Sequence, residues 1–415
     1  MNITVAGLWH LGCVTAACCA RHFRVTGFDS DSQNIAQLKQ GKAPLLEPGL
    51  NELLVIGVAS GNLQFTDEPR SACADADILW LTYDTPVNDN DESDVAFVLD
   101  RLRSCLGHLP PGALVLISSQ LPVGTCRQLE AEFPQFHFAC SPENLRLGRA
   151  IEAFEKAERV VVGVRDDRKK ALLEELFRPF TPQILWMRTE SAEMVKHALN
   201  SFLALSITFI NEIARLCEPT GADAKEVATG LKSDPRIGPR AYLNPGGPFA
   251  GGTLARDVMT LTRLGAEKND PVAVIAAIKQ SNDRHRSWAF RRLESRLGTL
   301  RGKCVAVLGL TYKPGTDTLR RSAAIELCRK LLDAGATVKA FDPAVKILPP
   351  ELASITFAEN LAAAVMSADA AVVCTEWPEF LLRVMRQRLF IDANSFLEKE
   401  LKTQTGVEHL SVGRA

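Results

Sequence analysis

The opening of the chain constrains its fold most strongly. The apolar run Ile3–Ala6 leads into the turn Gly7-Leu8-Trp9-His10-Leu11-Gly12, and a helical segment, Val14–Arg21, follows. A second apolar run, Arg24–Phe28, ends at Asp29. A dinucleotide-binding unit has this order of strand, glycine turn, helix, strand and acidic residue. The carboxylate of the acidic residue holds the adenosine ribose in such a unit. Because Asp29 would repel a 2′-phosphate, the sequence favours NAD over NADP as the cofactor.

One position of the glycine turn departs from the expected pattern. The G-x-G-x-x-G pattern has its second glycine where the backbone approaches the pyrophosphate, and this chain has Trp9 there. An α/β domain with a closed turn is therefore the alternative interpretation. We predict cofactor contacts from the turn itself and from the acid after the second strand: Gly7, Trp9, His10, Leu11, Gly12 and Asp29.

Further apolar runs alternate with helical segments through the first part of the chain and predict a mostly parallel sheet. The runs span residues 77–82, 113–118, 136–139 and 159–163. The loops that follow such strands lie at the carboxyl edge of the sheet, where ligands bind. These loops supply Thr85, Pro86 and Gln120 as further cofactor-binding candidates. The acidic stretch 89–94 is typical of a solvated surface, and we predict no metal site.

Composition and charge exclude several functional classes. The 415 residues include 48 Lys+Arg and 49 Asp+Glu, so no basic excess indicates nucleic acid as a partner. The 11 cysteines are scattered without a C-x-x-C pair, which argues against a zinc ribbon or a disulfide framework and for a reduced cytosol. We expect neither a signal peptide nor a membrane span, and therefore a cytoplasmic protein.

A glycine-rich segment, Tyr242–Asp257, marks the middle of the chain. It carries Gly246, Gly247, Gly251 and Gly252 around two prolines, a density that lets the backbone turn sharply and approach a ligand. The residues after Gly252 predict the first turn of a helix, whose free N–H groups favour polar or negative groups. A tight turn between domains is the alternative interpretation.

A long helical run precedes this glycine segment. It opens at Ser191, which we predict as its N-cap, and continues through Leu216. Lys196 and Asn200 are four residues apart and therefore share a helix face. On a buried face, desolvation suits a lysine to proton transfer, while Asn200 orients a hydroxyl or a water. A lysine that reaches solvent beside a structural asparagine is the alternative.

The last third of the chain repeats the opening arrangement. The apolar run 303–309 ends in a glycine, a helical segment spans 323–334, and a second apolar run, 336–341, ends at Asp342. Two further runs, 370–374 and 389–392, complete a second Rossmann-like unit. Lys313 and Arg320 lie after its first strand and are candidates for contacts with phosphates or hydroxyls, the alternative being a solvated basic turn.

Short motifs along the whole chain resemble those of one family. They are Glu47-Pro48-Gly49-Leu50, Thr85-Pro86, Pro122-Val123-Gly124-Thr125, Ser141-Pro142-Glu143, Ser191-Ala192-Glu193, Gly221-Ala222-Asp223, Arg236-Ile237-Gly238, Gly309-Leu310-Thr311-Tyr312-Lys313, Thr316-Asp317, Asp342-Pro343 and Thr375-Glu376-Trp377. In these motifs and their order the chain resembles the UDP-glucose/GDP-mannose dehydrogenase family. The resemblance implies an α/β fold of two Rossmann-like, doubly wound parallel-sheet domains joined by a central long-helix region.

The resemblance also implies domain limits, a cofactor and partners. It divides the chain into an NAD-binding domain at 1–188, a central helical dimerisation region at 189–295 and a nucleotide-sugar-binding domain at 296–415. We expect NAD as the cofactor, a UDP- or GDP-linked hexose as the substrate and a homodimer as the assembly. Neither nucleic acid nor a membrane is expected as a partner.

The family oxidises a sugar primary alcohol to a carboxylate in two NAD-dependent hydride transfers, and a cysteine traps the intermediate aldehyde. By resemblance, Lys196 and Asn200 hold the alcohol oxygen, Asp257 positions water or base, and Glu143 serves the hydrolytic step. Arg236 reaches the sugar across the dimer. The remaining substrate contacts implied by the resemblance come from Leu145, Tyr242, Asn244, Gly247, Gly251, Lys313 and Arg320.

The family's cysteine is absent from this chain. Counting back from Asp257 places its position at Thr253. A threonine hydroxyl is far less ionised near neutrality than a thiol with a pKa of about 8.5. Gln120, Leu147 and Arg256 also replace family residues around the implied site.

These replacements lead to three hypotheses, of which we favour the first. It is a single two-electron oxidation to an aldehyde or ketone, which needs an oriented alcohol, a proton acceptor and NAD but no nucleophile. The second is a four-electron oxidation to a uronate through the aldehyde hydrate, with Asp257 or Glu143 as the base. The third is a catalytically silent nucleotide-sugar binder in which Trp9 plugs the NAD site.

Overall fold

The structure, a computed structural model, describes residues 1–88, 92–143, 145, 147–165, 167–319, 322–382 and 388–414. Within these residues the chain forms two compact units, Met1–Leu199 and Asn200–Ala415. The sequence-based division at residues 188 and 295 remains a prediction.

The first unit is built on an eight-stranded sheet. Its strands are β1 Asn2–Ala6, β2 Arg24–Phe28, β3 Leu63–Thr66, β4 Ile78–Leu81, β5 Leu114–Ile117, β6 His137–Cys140, β7 Val160–Val164 and β8 Ile184–Met187. Their order across the sheet is β3-β2-β1-β4-β5-β6-β7-β8. Neighbouring strands are parallel except β6 and β7. The predicted mostly parallel sheet is therefore confirmed, and its order reverses at β1 and β4, where such sheets bind ligands.

Helices connect these strands. They are α1 His10–Cys19, α2 Ser32–Leu38, α3 Leu50–Ala59, α4 Pro69–Cys73, α5 Val95–Leu106, α6 Thr125–Glu132, α7 Ala150–Glu155 and α8 Lys170–Phe177. A longer helix, α9 Thr189–Thr220, begins in the first unit and continues into the second. Although α9 has 32 residues, no helix in the described ranges is both long and apolar enough to cross a membrane.

The second unit combines further helices with a six-stranded sheet. The helices are α10 Ala224–Ser233, α11 Thr253–Glu267, α12 Ala273–Arg286, α13 Trp288–Leu297, α14 Ala323–Asp333, α15 Leu361–Val365 and α16 Glu398–Leu401, with 3₁₀ turns at Pro350–Leu352 and Pro378–Leu382. The strands are β9 Cys304–Leu308, β10 Thr337–Phe341, β11 Thr356–Phe357, β12 Ala370–Val373, β13 Leu389–Asp392 and β14 Glu408–Leu410. The order is β11-β10-β9-β12-β13-β14, and all neighbouring pairs are parallel.

Each sheet buries both of its faces. Along β4, Ile78 and Trp80 belong to one apolar core, while Leu79 and Leu81 belong to another on the opposite face. The strands of a parallel sheet covered by helices on both sides read as continuous apolar runs for this reason. β9 follows the same rule, because its alternate residues also divide between two cores. The predicted pair of doubly wound Rossmann-like sheets is confirmed.

Two predicted helix starts were wrong. The N-cap prediction for Ser191 fails because Ala192 N donates to Arg188 O over 3.1 Å, so helical bonding in α9 begins before Ser191. The first helix begins at His10 rather than Val14, because Trp9 takes the N-cap position and Cys13 N donates to Trp9 O over 2.9 Å. The predicted helical turn after Gly252 is confirmed, since α11 begins at Thr253.

The turn after β1 requires glycine at both of its ends. Gly7 has a φ of +101°, and a Cβ on Gly7 would lie 2.6 Å from Tyr83. A Cβ on Gly12 would lie 1.8 Å from the carbonyl oxygen of Gly7. Helix α1 can therefore begin directly beneath the end of β1 only because both positions lack a side chain.

We expect Gly12→Ala to lower the free energy of unfolding by about 2 kcal/mol or more, because its methyl group overlaps a backbone oxygen that cannot move away. Urea unfolding followed by circular dichroism measures the change. Gly107→Ala is the control, because a Cβ there meets nothing within 4 Å and no positive φ is required. Equal midpoints for the two variants would contradict the prediction.

Candidate active site

Asp29 fastens the turn between β1 and α1. Its Oδ2 accepts a hydrogen bond from Leu8 N at 2.8 Å, and its Oδ1 accepts one from Asp31 N at 3.2 Å. Gly7 N donates to Phe28 O over 2.9 Å. The half-buried carboxylate retains lone pairs beyond these two bonds, so it can also accept hydroxyl donors.

The loops after β4 and β5 meet at the same edge of the sheet. Thr85 Oγ1 donates to Gln120 O over 2.7 Å, which joins two predicted cofactor residues from different loops. Thr82 Oγ1 donates to Gly7 O over 2.9 Å and ties the β4 loop to the glycine turn. The structure thus places at one carboxyl edge all the residues predicted to bind cofactor: Gly7, Trp9, His10, Leu11, Gly12, Asp29, Thr85, Pro86 and Gln120.

Trp9 does not strain the turn. Its φ of −91° is open to any residue, so the glycine of the general pattern is not needed here for backbone conformation. The indole is 47% exposed and is not part of the core. The neighbouring His10 is held by the buried carboxylate of Glu47, 2.8 Å from its Nε2. Glu47 also accepts hydrogen bonds from Gly148 N and Ala150 N at 2.7 and 2.9 Å.

These residues fit a dinucleotide. The first N–H groups of α1 have no partner within the helix and point to the turn, where a pyrophosphate would accept them. Asp29 stands at the end of β2, where ribose hydroxyls would donate to it. Ser119 Oγ, in the loop after β5, is buried and has no hydrogen-bond partner among the described residues. Its hydroxyl is therefore available for a hydrogen bond to a ligand.

Lys196 is bound inside the first unit. Its Nζ donates to the carbonyl oxygen of Glu143 over 2.6 Å and lies 3.8 Å from the Glu143 carboxylate. Glu143 Oε2 in turn accepts a hydrogen bond from Leu145 N at 2.5 Å. The structure therefore joins three predicted site residues, and Lys196 is not the solvent-reaching lysine of the alternative interpretation.

Glu193 is a buried contact that the sequence did not single out. Its carboxylate accepts hydrogen bonds from Gly124 N at 2.6 Å and Cys126 N at 2.8 Å, at the N-terminus of α6. The positive end of the helix dipole favours a carboxylate at that place. Glu193 thereby fixes α9 one turn before Lys196, and its only signal in the sequence is the Ser191-Ala192-Glu193 motif.

In the second unit, the glycine segment lines a cavity of about 820 Å³. We call it the glycine-segment cavity. Five predicted site residues line it: Tyr242, Asn244, Gly247, Thr253 and Lys313. Arg240 also lines it, as do Lys232, Tyr312, Glu376 and Asn394, which were not predicted as site residues. Burial raises the pKa of Glu376.

Other predicted site residues of this unit lie outside the cavity lining. Asn200 and Asp257 are buried, and Asn200 Nδ2 donates to Asp257 Oδ2 over 2.5 Å. Gly251 is partly buried, two residues before Thr253. The Arg236 side chain is 88% exposed and pairs with Asp234 at 2.7 Å. Arg320 lies outside the described residues.

Buried side chains fasten the glycine segment to helices α9 and α12. Asn211 Oδ1 accepts a hydrogen bond from Gly246 N at 3.0 Å, and Asn211 Nδ2 donates to Gly247 O over 3.2 Å. Asn282 makes the same paired contact with Phe249, at 3.0 Å to its N and 2.9 Å to its O. An amide matches a backbone unit in this way because it offers one acceptor and one donor.

His285 completes this fastening. Its Nε2 lies 2.8 Å from Gly246 O, and its Nδ1 lies 3.4 Å from the guanidinium of Arg215. Only the tautomer with the proton on Nε2 satisfies both contacts. Burial, assisted by the charges of Arg215 and Arg291, lowers the pKa of His285 to about 4. The imidazole is therefore neutral at neutral pH.

The lowered pKa predicts a pH dependence of stability. Below about pH 6.5 the unfolded chain binds a proton at His285, while the folded chain does not until about pH 4. The free energy of unfolding therefore decreases as the pH is lowered from 6.5 to about 4. The loss amounts to at most about 1.4 kcal/mol per pH unit. We expect His285→Gln to flatten this slope, because the amide keeps a donor for Gly246 O and does not titrate.

Urea unfolding at several pH values between 7.5 and 4 measures the slope for the wild type and the variant, with the exposed His108→Gln as the control. Parallel slopes for the wild type and His285→Gln would contradict the prediction.

Three models of one family match the chain in succession. They are the NAD binding domain at residues 1–181, the central domain at 190–284 and the UDP binding domain at 306–399 of the UDP-glucose/GDP-mannose dehydrogenase family. The UDP-glucose 6-dehydrogenase of Rhizobium meliloti is 35% identical over 437 aligned residues, with 100% of both chains covered. UDP-glucose 6-dehydrogenase TuaD of Bacillus subtilis is 33% identical, and the match covers 100% of this chain and 93% of TuaD.

Solved structures agree with these matches. A UDP-glucose dehydrogenase from Pyrobaculum islandicum has a TM-score of 0.91 at 30% identity, covering 100% of this chain and 98% of that one. A UDP-D-ManNAc dehydrogenase from Pyrococcus horikoshii has a TM-score of 0.87 at 27% identity, covering 100% and 99%. From its sequence and its fold, the chain belongs to the UDP-glucose/GDP-mannose dehydrogenase family.

Proposed function

We propose that this chain removes a single hydride from an alcohol carbon of a nucleotide sugar and releases an aldehyde or a ketone. As a member of its family, the chain is an NAD-dependent oxidoreductase that acts on the CH–OH group of a nucleotide sugar. The number of oxidation steps, the residue roles, the homodimer and the cytoplasmic location are proposals.

The observation that carries the proposal is Thr253. It is the first residue of α11, it is exposed, and it lines the glycine-segment cavity at the position implied for the family's cysteine. Within the part of the chain that the structure describes, no cysteine lines this cavity. An alcohol side chain is a poor nucleophile near neutral pH, so a bound aldehyde has no thiolate to hold it.

A single oxidation needs only groups that the chain retains. The alcohol loses a hydride from carbon and a proton from oxygen, and it becomes a carbonyl. NAD supplies the hydride acceptor. Lys196 and Asn200 hold the alcohol oxygen, and Asp257 accepts the proton directly or through a water. The 2.5 Å contact between Asn200 and Asp257 supports this assignment, because it orients the amide and keeps its second N–H available.

The glycine-segment cavity suits a nucleotide sugar. Its volume of about 820 Å³ falls in the range of about 300–1,000 Å³ usual for ligand sites. Lys232, Arg240 and Lys313 bring positive charge for a diphosphate, and Tyr242 and Tyr312 offer aromatic rings. The fastened backbone of the glycine segment holds Thr253 in place. A UDP- or GDP-linked hexose is therefore the proposed substrate.

Product analysis tests the proposal. The chain is incubated with NAD and a panel of UDP- and GDP-linked hexoses, and the products are identified by mass spectrometry after carbonyl trapping. We expect a product that has lost two hydrogen atoms and gained no oxygen. Thr253→Ala should retain the turnover of the wild type, because no covalent intermediate forms at this position.

A uronate product would contradict the proposal and support the four-electron route through the aldehyde hydrate. No product with any sugar, together with no NAD binding by calorimetry, would support the silent binder in which Trp9 plugs the site. Loss of turnover in folded Thr253→Ala would show that its hydroxyl takes part in the reaction.

Lys196→Met should lower kcat by at least about 100-fold, because the alcohol oxygen loses its charged donor while the shape of the side chain is kept. The binding of the nucleotide sugar, measured by calorimetry, should change little. Lys268→Met, at the exposed C-cap of α11, is the matched control and should keep full activity. A wild-type kcat in Lys196→Met would contradict the assigned role.

The apolar stripe on α9 supports the proposed homodimer. Phe202, Phe209 and Leu216 are seven residues apart, and they are 65%, 44% and 64% exposed. This spacing places them along one side of the helix, as in helices that pair with a partner. The partner proposed is a second copy of the chain, which would also carry Arg236 to the sugar site of the first.

Phe209→Glu should convert the dimer to a monomer, because it places a charge in the middle of the paired stripe. Light scattering coupled to size exclusion measures the mass. Val274→Glu, at an exposed apolar position of α12, should leave the dimer intact. A wild type that elutes as a monomer, or a dimeric Phe209→Glu, would contradict the homodimer.

A further inference from the structure

Helices α9, α12 and α13 line a second cavity in the second unit, with a volume of about 560 Å³. Four arginines lie in its wall: Arg215, Arg284, Arg291 and Arg292. The only acids among the described lining residues are Glu212 and Glu218, so positive charge exceeds negative charge by two. We call this the arginine cavity. It shares no lining residue with the glycine-segment cavity, and its Leu216 is also the last residue of the α9 stripe that the proposed homodimer would cover.

Carboxylates engage only two of the four arginines. Arg292 forms an ion pair with Glu218, and Arg215 forms one with Glu212 at 3.3 Å. Among the described residues, no carboxylate pairs with Arg284 or Arg291. Arg291 Nη1 instead donates to the carbonyl oxygen of Arg284 over 2.9 Å. The excess charge of the cavity is therefore concentrated on these two side chains, both of which are exposed to solvent.

The other two guanidinium groups are held in position before any ligand arrives. Arg215 lies 3.4 Å from both Ser281 Oγ and His285 Nδ1. Arg292 lies over the ring of Trp288, 5.8 Å from its centroid. Fixing these long side chains beforehand reduces the entropy that a ligand would have to overcome.

The positive charges of neighbouring arginines in the cavity repel one another. Burial, followed by the charges of Arg215 and Arg284, lowers the pKa of Arg291, and the attraction of Glu218 does not offset this. An anion that binds among these arginines would reduce the repulsion between them.

We propose that the arginine cavity binds a multiply charged phosphate group, such as that of inorganic triphosphate or of a nucleoside triphosphate. Two uncompensated guanidinium groups match a ligand with at least two negative charges, and planar forks of donors bind phosphate oxygens in pairs. The volume suits a group of this size. Trp288 is buried, so the phosphates and not a stacked base would be recognised.

Calorimetry on the full chain tests the proposal, with inorganic triphosphate as the probe at constant ionic strength and without divalent cations. We expect saturable binding that weakens as KCl is raised. The double variant Arg284→Ala/Arg291→Ala should raise Kd by at least about tenfold, because two charge-assisted donors are lost. Arg284→Gln alone, which keeps the length of the side chain, should raise Kd less.

Matched controls separate this cavity from the rest of the surface. Arg329→Ala removes an exposed arginine from α14 and should leave Kd unchanged. Lys313→Ala weakens any triphosphate binding in the glycine-segment cavity and should leave the Kd of the arginine cavity unchanged. A parallel titration with ATP compares the two sources of the group. Equal Kd values would support recognition of the phosphates, and a much tighter Kd for ATP would contradict it, because the nucleoside would then be recognised.

Three other results would overturn the proposal. They are the absence of triphosphate binding, an unchanged Kd in both arginine variants, and loss of binding in Lys313→Ala. A change of oligomeric state in the folded double variant would also overturn it, because the arginines would then contact a partner copy. None of these results depends on the dehydrogenase reaction, so the proposed function stands or fails separately.

Discussion

Each sheet depends on one carboxylate that fastens the turn after its first strand. In the first unit, Asp29 accepts a hydrogen bond from Leu8 N at 2.8 Å, and in the second, Asp342 accepts one from Leu310 N at 2.7 Å. In both turns the preceding glycine has a positive φ, of +101° at Gly7 and +85° at Gly309. The backbone can reverse direction at the end of the strand only in this conformation, and the carboxylate then satisfies the N–H group that the reversal exposes.

The same fastening serves different purposes in the two units. Asp342 is buried and accepts further hydrogen bonds from Thr311 N at 2.9 Å, Trp377 Nε1 at 3.1 Å and Ala344 N at 2.9 Å. These protein groups occupy the acceptor positions of the Asp342 carboxylate. Asp29 is half-buried with two such bonds, so it can also meet a ligand. One scaffold thus leaves a carboxylate open to a ligand at the proposed cofactor edge and serves as a rigid support beside the glycine-segment cavity.

The sequence predicted the interior strands of both sheets and missed the four edge strands, Leu63–Thr66, Ile184–Met187, Thr356–Phe357 and Glu408–Leu410. The run Arg24–Phe28 was predicted at its observed bounds, whereas Leu63–Thr66 and Glu408–Leu410 contain too few apolar residues to stand out. The common location of the candidate cofactor residues at one edge of the sheet could be predicted because they follow strands in a fixed order. His285 could not, since its role depends on the carbonyl oxygen of Gly246, 39 residues earlier in the chain, and on burial that only the fold creates.

The central claim concerns chemistry and rests on Thr253, which stands at the start of α11 where a thiolate would be needed to hold an aldehyde for a second oxidation. We propose that the fastened glycine segment and the Asn200–Asp257 contact serve one hydride transfer to NAD. The most direct measurement is the amount of NADH formed per molecule of nucleotide sugar when the sugar is limiting and NAD is in excess. The account predicts one NADH per sugar, and two per sugar would contradict it.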